Sequence, residues 1–104
     1  MDYREHEHKS IEEVVLHHFA EEMEDACEYA HLAEMYPEDA KDFWAIGREE
    51  VTHAHHLKKI LDHNGHEFSD EHIAKWHKIL HKFVQHRSVT YLVTYLGISL
   101  LYIS

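Results

Sequence analysis

The sequence predicts an all-α fold. An antiparallel helical hairpin is expected over residues 10–65 and a C-terminal helix with an apolar tail over 66–104, the whole completed to a four-helix bundle by dimerisation. Three observations carry this. Apolar residues recur at spacings of three and four through two long stretches, as in helices with one wetted side. Breakers are scarce, 3 glycines and 1 proline, and Pro37 and Asn64-Gly65 stand where the periodic runs stop. Residues suited to N-caps, Ser10 and then Ser69 or Asp70, stand where runs begin.

Residues 1–9 are polar and aperiodic and read as a flexible acidic, histidine-bearing arm. Ser10 with Glu13 three residues on is a capping-box pattern, and a helix follows to about Tyr36 before Pro37 stops it. Ile11, Val15, His18, Glu22, Ala26, Tyr29, Ala33 and Tyr36 fall on one narrow stripe, with Leu16, Ala20, Met23, Cys27 and Ala30 beside it. Glu22 stands in the middle of the apolar stripe. A helix apolar over so much of its circumference needs more than one helical neighbour.

Pro37 suits the first turn of a second helix, with acids near its positive end, running from about Glu38 to His63 and closed by Asn64-Gly65. Its central stripe is Phe43, Ile46, Glu50, Ala54, Leu57 and Leu61, with His53 at the edge and Ala40, Trp44, Gly47 and Val51 as a flank. The very short connection forces an antiparallel hairpin, in which Glu22 and Glu50, about equally far from the turn, stand at similar height. A third helix is expected to about Arg87, with Ile73, Trp76, Leu80 and Phe83 inward and the His77/His81 pair facing solvent. From Val89 to Ile103 no charged face remains. As a helix those 15 residues reach only about 22 Å, short of the roughly 30 Å hydrocarbon core. A full membrane span is therefore disfavoured and an oligomer contact expected.

Composition bounds the function. The chain has 104 residues, enough for one small domain, and 20 acidic against 10 basic residues give a net charge of -10. That charge repels phosphate backbones and draws cations, so nucleic acid is not an expected partner. Cys27 is the lone cysteine, which removes intrachain disulfides and CxxC motifs. The N-terminus lacks the basic-then-apolar order of a signal peptide, and a reducing, cytoplasmic setting is expected. No P-loop, dinucleotide fingerprint or Gly-x-Ser-x-Gly elbow occurs. The 14 histidines are spread along the chain, each a candidate metal ligand.

Within Gly47-Arg48-Glu49-Glu50-Val51-Thr52-His53-Ala54, Glu50 and His53 project from neighbouring turns of one helix face, a spacing that can grip one metal ion. Alone the pair reads equally well as two surface residues of an acidic helix. What raises it is that Glu22 and Glu50 occupy the centres of two apolar stripes at matching height, where buried carboxylates demand a partner or a metal. Glu22, Glu50 and His53 are the expected metal ligands. Tyr29 and His18, on the stripe of Glu22, are candidates to orient them. An oxygen-rich set with one imidazole per metal suits iron, or manganese, better than structural zinc.

These residues carry a resemblance. Glu22 followed by Tyr29, a short turn, then Phe43 and Glu49-Glu50-Val51-Thr52-His53-Ala54 resembles the ferritin-like superfamily, and within it the single-hairpin encapsulated ferritins and one half of a rubrerythrin, over residues 15–61. The resemblance implies a ferroxidase that oxidises Fe(II) to Fe(III) with dioxygen or peroxide, for iron storage or detoxification. The implied catalytic residues are Glu22, Glu50, His53 and Tyr29, and Glu21 and Glu24 are implied as metal-uptake residues near the first ligand. The di-metal bundle takes a Glu from each of two helices and Glu-x-x-His from two others; this chain supplies half of that, so a homodimer or higher even-numbered oligomer is expected to share the site. The encapsulated branch further implies a protein compartment and a shell partner, although no targeting peptide is recognisable here. The four-cysteine domain of a full rubrerythrin is missing. Two other readings use different features: a non-catalytic histidine-rich metal-binding protein, and a helical adaptor whose tail from Val89 associates with a membrane.

Overall fold

The computed structural model describes residues 10–85. The arm expected over 1–9, the end of the third helix near Arg87 and the apolar tail from Val89 lie outside the described residues. Helix accounts for most of what is described: α1 (Ile11–Met35), a 3-10 turn (Pro37–Asp39), α2 (Ala40–His63) and α3 (Asp70–Gln85). No strand occurs among the described residues.

Local chemistry explains the boundaries. Ser10 is extended and its Oγ accepts the Glu13 N–H at 3.1 Å, satisfying one of the donors a helix start leaves open. Tyr36 leaves the helical region at φ -123 because Pro37 crowds the residue before it. At the end of α2, Gly65 takes φ 72, and the N–H groups of Gly65 and His66 bond to the carbonyls of Asp62 and Leu61 at 3.1 and 3.0 Å. That pairing closes the helix, and an L side chain at Gly65 would strain it. Of the two candidate caps for α3, Ser69 serves: its Oγ accepts the His72 N–H at 3.1 Å.

α1 and α2 lie side by side, and alanines at 26, 30, 33 and 54, each buried, together with Gly47, let the two backbones approach. α3 lies against both. Phe83 fills the notch left by Gly47, where an added Cβ would stand 2.6 Å from the Phe83 ring and 3.2 Å from Tyr29 Cβ. Phe19 is wholly buried and meets Phe68 at 5.6 Å and Trp76 at 5.7 Å between centroids. Ion pairs Lys75–Glu24 and Lys82–Glu34 tie α3 to α1 at the surface, worth about 0–1 kcal/mol each.

Met23, Ala26, Ala30 and Ala33 on α1, Ala54 and Leu61 on α2, and Trp76, Leu80 and Phe83 on α3 are buried as expected, but the midlines of the buried faces are rotated from those read off the periodicity. Phe19, on neither expected stripe, is a centre of the core, whereas Ile11 is 77% exposed. On α2 Ala54 and Leu61 of the expected stripe are buried, but so are Trp44, Gly47 and Val51 of the expected flank, while Ile46 is 39% exposed. On α3, Ile79 is buried in place of Ile73. The reason is that an apolar band wider than about 100° fixes a side but not its midline; the side on which α3 docks decides that. Glu22 and Glu50 consequently stand at the rim of the α1–α2 seam, not at its centre.

Candidate metal centre

The rim position brings the three expected ligands together. Glu22, Glu50 and His53 each offer a donor atom, and these atoms lie within 4.8 Å of one another, the one such cluster among the described residues. α2 places Glu50 and His53 through their spacing of three, and α1 supplies Glu22 from the facing helix. His53 Nδ1 stands 3.7 Å from Glu22 Oε2, too far for a hydrogen bond and near the separation of two donors on one cation. Glu22 Oε2 is itself buried without a hydrogen-bond partner among the described residues.

The carboxylates of the cluster strain against one another electrostatically. A proton shared with Glu22, burial, and the charge of Glu22 push the Glu50 carboxyl up to about 7, partly offset by His53. Two carboxylates this close cannot both ionise cheaply. Asp25, one turn from Glu22, is also raised, by burial first and then by Glu50, Glu28 and Glu21. A cation would relieve this excess of negative charge; so would a proton below neutral pH.

The remaining candidates separate. His18 lines an open basin with Glu22, His53, His56 and Leu57. Glu21 lies beside it, 3.0 Å from His17 Nε2 and 3.6 Å from His18 Nδ1. Tyr29 sits two turns along the seam, its ring stacked on Phe43 at 6.4 Å. Glu24 departs from expectation: it is held by Lys75 of α3, because two residues turn a helix by about 200° and put it nearly opposite Glu22. Asp25 and His56 were missed. Asp25 was legible as the acid three residues after Glu22, and His56 as the histidine three after His53.

α3 contributes no residue to the basin among those described. Outside the core, Ile46, Glu50, His53, Leu57 and Ile60 repeat at four-three-four-three spacing along α2. Ile11, Val15, His18, Glu22, Asp25, Tyr29, Leu32 and Tyr36 do the same along α1. This is the period by which helices pack on further helices, and the carboxylates lie within it. No helix among the described residues is long and apolar enough to cross a membrane. Comparison with known protein families, characterised proteins and solved structures gave no match.

Proposed function

We propose that the chain is a ferritin-like ferroxidase, oxidising Fe(II) to Fe(III) at a site shared between two copies. The observation that carries the reading is the convergence of Glu22, Glu50 and His53 within 4.8 Å at the rim of the seam. The donor set fits iron, and manganese equally, by its two carboxylates and one imidazole. Glu22 Oε2, buried without a hydrogen-bond partner among the described residues, supports it further, since a buried unpaired acceptor is costly and a cation would supply a partner.

The heptad-like stripes through the site support pairing with a second copy about a two-fold axis, which places two such clusters face to face. The pair would then present four carboxylates and two imidazoles to two ferrous ions, the substrate. Each ferrous ion gives up one electron, and a single dioxygen or peroxide molecule takes both. Glu50, whose carboxyl titrates near 7, is the group suited to release a proton as the cation arrives. The surrounding acids, Glu21, Asp25 and Glu49, raise the local cation concentration, an effect that weakens with ionic strength.

Elemental analysis of protein loaded with ferrous iron, beside Glu50→Ala and paired with native mass, tests the reading. One iron per chain in an even-numbered oligomer, lost in the variant, is expected, with oxygen consumption following iron addition. Variable stoichiometry that survives the substitution would instead leave a histidine-rich metal-binding protein.

A further inference from the structure

His18 of α1 and His56 of α2 border the same basin as His53, an open hollow of about 350 Å³. His53 turns Nδ1 toward Glu22, so its Nε2 lies across the ring on the side away from that contact, and 58% of the side chain is exposed. His53 and His56, three residues apart, are neighbours on one face of α2. Three imidazoles from two helices therefore surround one hollow.

We propose that His18, His53 and His56 form a second divalent-cation site at the mouth of the carboxylate cluster, for an imidazole-preferring ion of the zinc class. Neutral imidazoles favour Zn²⁺, Cu²⁺ and Ni²⁺ over Mn²⁺ and Fe²⁺ more strongly than carboxylates do, and three of them leave the fourth tetrahedral position to water. Glu21 Oε1, 3.6 Å from His18 Nδ1 and 3.0 Å from His17 Nε2, adds negative charge beside the hollow that favours a cation there. The carboxylate cluster already has its donors gathered; this set would close by rotation of the exposed His56 and the half-buried His18 side chains toward His53. The ferroxidase reading is not required, but His53 belongs to both sets, so zinc held at the mouth takes that ligand from Glu22 and Glu50.

Zinc chloride titrated calorimetrically into the metal-free full chain tests this, with manganese titrated in parallel. His18→Ala, His56→Ala, Glu50→Ala and His77→Ala, a control on α3, are run beside it, with helicity checked by circular dichroism. Each basin variant is expected to weaken the tightest zinc site by at least roughly tenfold, the scale on which even supporting groups act at metal sites. His77→Ala should leave that site unchanged, and Glu50→Ala should not weaken it, because His53 is then released from the carboxylate cluster. Manganese binding should be lost in Glu50→Ala and kept in both basin variants. Zinc affinity that survives His18→Ala or His56→Ala overturns the inference, and so does zinc binding that collapses in Glu50→Ala. Manganese failing to bind the native chain while the zinc pattern holds removes the carboxylate reading and leaves the imidazole site standing.

Discussion

Glu50→Gln should stabilise the metal-free protein while abolishing its carboxylate metal site. The Glu50 carboxyl moves from 4.5 to about 7 on folding, so the shared proton stabilises the folded state fully below about 4.5 and is lost as pH rises through about 7. At about 1.36 kcal/mol per pH unit, that displacement bounds the penalty of ionised Glu50 at roughly 3.4 kcal/mol. Glu50 is only part-buried, and solvent screening reduces this to about 1–2 kcal/mol. For a domain of this size each kcal/mol moves the melting temperature by about 4–8 °C. Thermal unfolding followed by circular dichroism with chelator present, at pH 8 and at pH 4, reads the effect. The variant should melt about 5–15 °C above the native protein at pH 8 and level with it at pH 4. An unchanged or lower melting temperature at pH 8, or an equal gain at both pH values, would show that Glu50 is not held against Glu22. Loss of the geometry behind the metal site would follow.

The same coupling predicts that manganese binding to the native chain releases roughly half a proton from Glu50 at pH 7 and nearly one as pH falls, and weakens below about 7; titration in buffers of differing ionisation heat measures it. Glu24→Ala should leave metal content unaltered and cost at most about 1 kcal/mol, since among the described residues Glu24 pairs with Lys75, away from the cluster; loss of metal would contradict its placement. Gly47→Ala should lower stability by a net of up to about 2 kcal/mol, overpacking against Phe83 costing about 1–3 kcal/mol and helix propensity returning about 1 kcal/mol, as read from urea midpoints. Phe19→Ala, at the wholly buried centre, should cost about 3–5 kcal/mol in the same assay. Burial pushes the Cys27 thiol up despite Lys78 and Lys82; alkylation near pH 7 should be slow in the folded chain and fast once denatured.

Local chemistry was enough to write the helices. Ser10 with Glu13, Pro37, Asn64-Gly65 and Ser69 act within one turn of themselves, so their effect is present in the sequence before any tertiary contact forms. The Glu50–His53 pairing is local in the same way, a consequence of helical pitch. Glu22 was legible through its place in an apolar stripe and its distance from the turn, because a short connection leaves two helices little freedom of register.

Where the midline of each buried face falls was not local. Phe19 is buried because Phe68 and Trp76 come to it from residues some fifty positions away, and Phe83 finds Gly47 only because α3 crosses the seam there. Periodicity alone gives a broad apolar band, and the choice of midline within it rests on side-chain shape at contacts between distant segments. That choice moved Glu22 and Glu50 from the expected centre of the core to its rim. It also turned Glu24 toward Lys75 and left His18, His53 and His56 around one open basin. The sequence by itself determined which residues could bind a metal; the packing of α3 against one side of the α1–α2 pair decided that their donors converge on the other.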